Sequence, residues 1–225
     1  MSLGRISTVI AILFLAGAIF IIQWPISSVL PAATDNAKSI DWIFKYMLIA
    51  SWLVFLIVQG FLLAFVIRYR KRPEDADDAL GDQIHGNTRL EIVWTIIPTL
   101  FLVSLAVISF KVYMQIIATP AHAYTIDATG FQFGWECDHP EYHITEIGTC
   151  HMPLNQEVTI RLHSRDVIHS FWVPDFRVKE DAVPGLHNVM HFKTEQAGTF
   201  PLICAELCGA GHAEMRATVY VMPQT

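Results

Sequence analysis

Residues 202–219 read LICAELCGAGHAEMRATV and place two cysteines, a histidine and a methionine within twelve residues. Cys204, Cys208, His212 and Met215 all carry atoms that bind soft or borderline metals. Upstream, DVIHSFWVP supplies His169 beside an aromatic run. The set is then two thiols, two imidazoles and a thioether, with backbone carbonyls nearby. A structural zinc site takes four strong ligands and leaves a thioether idle. A single blue copper takes two histidines, one cysteine and a distant methionine, which leaves a cysteine over. Two cysteines suit two coppers, each thiolate bridging both metals and each histidine completing one. One electron shared by two metals in a fixed, low-water site needs little reorganisation, the property of an electron relay and a poor one for hydrolysis. CxxxC by itself fits a disulfide outside the cytoplasm equally well; His169, His212 and Met215 tip the balance to metal. Cys137 and Cys150 stand apart. They flank DHPEYHITEIGT, have no close methionine and fit a disulfide across a hairpin, with free thiols or a second metal site as alternatives. No CxxCH occurs, so no heme is expected on this chain.

These residues need a scaffold, and the chain supplies two kinds. At 53% hydrophobic and 16% charged it is too apolar for an ordinary soluble domain, and the excess lies before residue 118. Tyr46 to Ile67 and Ile92 to Phe110 are long and apolar enough to span a bilayer. An earlier run, Ile6 to Ile22, is expected to be either a retained span or a signal peptide. The loop between the Tyr46–Ile67 and Ile92–Phe110 spans opens RYRKR, which places it in the cytoplasm and the C-terminal half outside. Three regions result: an apolar segment and external linker over 1–41, a helical hairpin over 42–117, and an external domain over 118–225.

The external domain carries 6 Lys and Arg against 13 Asp and Glu, a formal charge of −7. Such a surface repels nucleic acid and steers a positively charged partner. Its hydrophobic pattern alternates. EVTIRLHS (157–164) puts Val158, Ile160 and Leu162 on one face, and HNVMHFK, TFPLIC and ATVYVM are further β-rich runs. Prolines and glycines separate them, which predicts a β-sandwich or barrel. The expected class is therefore a membrane-anchored all-β protein.

CAELCGAGHAEM resembles, at every fixed position, the dinuclear copper A motif C-x-E-x-C-G-x-x-H-x-x-M of subunit II of the heme–copper cytochrome c oxidases. DVIHSFWVP and KEDAVPG are similar to that family's upstream ligand region, and HGNTRLEIVWTIIPT to the start of its second membrane helix. The likeness covers roughly residues 42 to 222. It implies a cupredoxin-like Greek-key sandwich in which Cys204 and Cys208 bridge two coppers and His169 and His212 are terminal ligands. Met215 and the backbone carbonyl of Glu206 are implied as weak axial ligands. The Glu206 side chain would reach a magnesium ion shared with subunit I. Glu91 is implied at the mouth of a proton channel. The partners implied are oxidase subunits I and III, lipid, and a soluble donor, a cytochrome c or a small copper protein. The setting implied is a bacterial cell membrane.

Two departures stand out. Where the family has Q-W-x-W, this chain has GFQFGW, so Phe133 takes the position of the electron-receiving tryptophan and Trp135 the second. Placed in one strand, the two rings would share a face. Leu186 stands where relatives often have arginine, which puts in doubt any polar contact to heme propionates there. Other classes fit less well. A membrane-anchored copper chaperone needs no H-x-x-M and uses a thioredoxin-like fold. Quinol oxidase subunits lack these ligands, and nitrous oxide reductase attaches them to a much larger catalytic domain. A disulfide-stapled surface protein would require that no metal bind.

Overall fold

The computed structural model describes residues 31–72, 74–76 and 85–223, with 12, 14–20 and 23. Whether Ile6 to Ile22 is a retained span or a signal peptide lies outside the described residues. Helix α1 (Asp35–Arg68) starts where Thr34 caps it, the Ala37 amide donating to Thr34 Oγ1 at 3.2 Å. Helix α2 (Thr88–Ile116) is capped by Asn87, whose Oδ1 accepts from the Arg89 and Leu90 amides at 3.1 and 3.2 Å. Asp35 and Glu91 occupy first turns and Arg68 a last turn, all placed to suit the helix dipole. Both helices are long and apolar enough to cross a membrane, and their apolar windows bury nothing within the chain. Leu100, Val107 and Phe110 are each over 60% exposed, a surface for lipid or partner helices and not for water. Within the hairpin, Tyr46 stacks on Phe101 and exchanges a 2.7 Å hydrogen bond with Ser104.

The second unit is a sandwich of two five-stranded sheets. Its strands are β1 (Tyr124–Phe131), β2 (Gly134–His139), β3 (Ile144–Ile147), β4 (Thr149–Pro153) and β5 (Glu157–Ser164). The remaining five are β6 (His169–Val173), β7 (Val178–Ala182), β8 (Asn188–Lys193), β9 (Gly198–Cys204) and β10 (Arg216–Met222). One sheet runs β3-β2-β1-β5-β8 and the other β4-β10-β9-β6-β7. The pairs β1–β5 and β4–β10 are parallel and the rest antiparallel, the mixed topology of a cupredoxin-like sandwich. Alternation places Val158, Ile160 and Leu162 of β5 in the core opposite Phe200 and Leu202 of β9 and Val219 and Val221 of β10. Each fully buried side chain of this size contributes about 1.5–3 kcal/mol.

Two features tie the sandwich. Cys137 and Cys150 form a disulfide. It does not close a hairpin as expected: it joins β2 in one sheet to β4 in the other, because the chain leaves β3 and crosses between sheets before residue 149. Residues 31–42 also pack as part of this unit. The Arg177 guanidinium holds both Asp41 carboxylate oxygens, at 2.9 and 3.1 Å, and donates to the Pro31 and Pro174 carbonyls. The Lys193 amide donates to Asp35 and the Asn36 amide group to the His191 carbonyl. Helix α1 begins earlier than the apolar run at Tyr46 because these contacts hold its polar first turns.

Candidate metal centre

The site is built from β6, the β1–β2 turn, the end of β9 and the loop to β10. His169 opens β6 and is fully buried. Its Nε2 lies 2.7 Å from Asp166 Oδ1, three residues upstream. Asp166 also accepts from the backbone amides of Gln132 and Val167, both at 2.7 Å. Burial acts to raise this carboxyl, but the bonds from His169, Gln132 and Val167 outweigh it and hold Asp166 below its ordinary value. A histidine whose far nitrogen is held by a carboxylate presents the near one as a fixed, basic ligand. His169 Nδ1 accordingly faces Cys204 Sγ at 3.9 Å. Gly130 of β1 makes room for the ring, since a Cβ there would lie 2.9 Å from it.

Cys204 ends β9, its amide donating to the Met215 carbonyl at 3.1 Å. The loop then turns at Gly209, whose φ of +130° suits glycine. The Gln132 side chain donates to the Cys208 carbonyl at 2.6 Å and so ties the loop to the β1–β2 turn. A short helical turn, His212–Glu214, returns Met215 to full burial. The donor atoms form one continuous series. Cys204 Sγ is 3.8 Å from Cys208 Sγ, which is 3.5 Å from His212 Nδ1 and 3.6 Å from Met215 Sδ. The Glu206 carbonyl lies 3.2 Å from Cys204 Sγ. His169, Cys204 and Cys208 are all buried, with ligand atoms within 4.8 Å of one another.

This donor set fits a soft metal pair. Each thiol neighbours the other and a different imidazole, and the thioether and carbonyl stand at opposite thiols. Burial first, then hydrogen bonding and charge from Cys204, pushes the Cys208 thiol up to about 11. The Cys208 proton is not readily lost near neutrality unless a cation replaces it, so metal uptake and ionisation of this thiol are linked.

Known proteins share this arrangement of sequence. Residues 22–112 match the family description "Cytochrome C oxidase subunit II, transmembrane domain", and residues 145–222 match its periplasmic domain. A cytochrome c oxidase subunit 2 of Synechocystis sp. is 33% identical, over 84% of this chain and 70% of that one. The chain belongs to the cytochrome c oxidase subunit II family. The corresponding subunit of Alkalihalophilus pseudofirmus is 36% identical, over 83% of this chain and 56% of its own. A solved structure, the periplasmic domain of subunit II of cytochrome oxidase (CoxB) of Bradyrhizobium japonicum, is 31% identical with a TM-score of 0.45. It covers 47% of this chain and 88% of that one.

This member of the family is therefore a membrane-anchored component of an oxidoreductase complex, with a periplasmic β domain and a buried cysteine–histidine cluster that fits copper. Phe133 and Trp135 do not share a strand face. Phe133 sits in the turn before β2, 41% exposed, its ring lying on Gly209 and Gly211, where a Cβ would come within 3.2 and 2.5 Å. Trp135 points inward, 1% exposed, edge-on to His169 with centroids 6.1 Å apart. The turn absorbs Gln132 and Phe133, so the alternation restarts at Gly134. The Glu206 side chain is exposed, as is Glu91 in the first turn of α2. Leu186 is also exposed, in the turn before β8. Asp166, Gln132 and Gly130 escaped the reading from sequence. Of these only Asp166 carried a signal, its spacing of three from His169.

Proposed function

We propose that this chain is the electron-receiving subunit of a terminal cytochrome c oxidase. It takes electrons singly from a soluble donor, a cytochrome c or a small copper protein, and passes them to heme in subunit I. There oxygen is reduced to water with proton pumping. Residues 42–117 form the membrane hairpin that packs with subunits I and III in lipid, and 118–225 the copper domain. The observation that carries this reading is the unbroken series of thiol, imidazole, thioether and carbonyl donors from His169 to Met215.

A dinuclear copper pair held there would supply reversible one-electron chemistry with little reorganisation. Cys204, Cys208, His169 and His212 would hold it, with Met215 and the Glu206 carbonyl as weaker donors. Asp166 fixes the tautomer and direction of His169, and Gln132 and the Gly209 turn hold the cysteine loop. Phe133, spread over that loop and exposed, provides the contact surface for a donor, and Trp135 packs behind His169. The exposed Glu206 side chain is free to extend toward magnesium at the boundary with subunit I, since an oxygen ligand suits that ion. Glu91 would serve as the mouth of a proton channel.

A copper count with an EPR spectrum on the full chain in detergent tests the central claim. Two coppers and one unpaired electron split by both nuclei are expected, and Cys208→Ser is expected to lose that signal. One copper per chain, or a Cys208→Ser variant that keeps the two-copper spectrum, overturns the reading.

A further inference from the structure

Away from the cysteine loop, two histidines meet across a pair of strands. His163 lies near the end of β5, and His187 immediately precedes β8, whose Asn188 pairs with Leu162. Their Nδ1 atoms are 3.1 Å apart, with the rings near-perpendicular at 72°. On its other side His163 Nε2 faces the Asp127 carboxylate at 3.7 Å. Asp127 is itself held by Arg161, whose Nε and Nη2 donate to its two oxygens at 2.5 and 2.6 Å. The carboxylate charge beside Nε2 stabilises a proton there; Nδ1 of His163 is then the acceptor of an N–H···N hydrogen bond from His187, the proton that a bound ion would replace.

We propose that His163 and His187 form a second metal site, for a single late first-row divalent ion such as Zn(II) or Cu(II). Imidazole nitrogens suit these ions. Two nitrogens bound at 2.0–2.1 Å stand about 3.3 Å apart in tetrahedral geometry and about 2.9 Å apart as neighbours in a square plane. The observed 3.1 Å lies between them. Residues opposed on adjacent antiparallel strands come close enough for both side chains to reach one ion. Asp127, 3.7 Å from Nε2, places a negative charge behind His163, and its pairing with Arg161 holds that guanidinium. His187 is exposed and His163 partly so, which leaves room for water to complete the coordination. The net charge of −7 on residues 118–225 raises the local concentration of divalent cations. A bound ion would clamp β5 to the turn that enters β8. This proposal is independent of the copper reading.

Zinc competition against a chromophoric chelator, on the full chain in detergent, tests it. Wild type, His163→Gln and His187→Gln are compared, so that zinc taken by the thiols is common to all three and cancels. Wild type should hold one more equivalent of Zn(II) than either variant. Asp127→Asn should keep that equivalent but bind it about 10–100-fold more weakly. Both histidines are at the surface, and unchanged near-UV circular dichroism would confirm that the variants fold. Equal zinc uptake by wild type and both histidine variants overturns the site.

Discussion

His169 would make a good metal ligand because of what holds its other nitrogen. Asp166→Asn keeps the shape but removes the charge that fixes the imidazole. We expect copper affinity to fall by about 10–100-fold, measured by competition with a copper chelator, with the β fold retained in circular dichroism. The same carboxyl gives a pH dependence with a definite sign. Its folded value lies below the ordinary 3.8, so the stability from the Asp166–His169 bond is complete above that pH and is lost as pH falls through the lower folded value. The acid branch of the thermal stability profile should therefore be shallower in Asp166→Asn. A profile identical to wild type below pH 4 would refute this assignment. Asp166 left only a faint trace in the sequence, since an aspartate three residues from a histidine is common. Gln132 and Gly130 left none, because their roles come from the β1–β2 turn and the cysteine loop meeting in space.

At the scale of elements, the sandwich is held by contacts between segments far apart in the chain. The Cys137–Cys150 disulfide joins β2 to β4 across the two sheets over a sequence separation of 13. Closing a loop of this length contributes roughly 3 kcal/mol, so a Cys137→Ala, Cys150→Ala variant should unfold at correspondingly lower denaturant. Arg177 is the other tie. It pairs with Asp41 at 10% and 17% side-chain exposure, and binds two carbonyls besides. Removing one partner of a largely buried pair leaves the other unmatched, so Arg177→Ala should cost about 3 kcal/mol or more. Amide exchange should then quicken in residues 34–42 before it does in β5; uniform acceleration would mean that Arg177 holds the whole sandwich and not the helix start. The strands at 157–164 and 198–204 were legible as alternation and as an apolar run. That residues 31–42 pack on the sandwich was not, because polar first turns look like linker until their partners, 136 to 158 residues away, are known.

For the whole molecule, charge sets the kinetics of encounter. An excess of seven negative charges over residues 118–225 should attract a basic donor, and salt should screen that attraction. Electron-transfer rates from a cationic cytochrome c should fall about tenfold or more between low and physiological ionic strength. A rate independent of salt would locate docking on apolar contacts such as the exposed Phe133. From sequence by itself came the two membrane helices, the cytoplasmic side of their loop, the β class of the outer domain and the set of candidate metal ligands. Each depends on local quantities: run length, charge count, period and residue type. Tertiary structure decided which face each aromatic takes, that the Cys137–Cys150 bond crosses the sheets, and that Asp166, Gln132 and Gly130 shape the site. Those follow from the register between strands distant in sequence, and register is set by packing of the whole core.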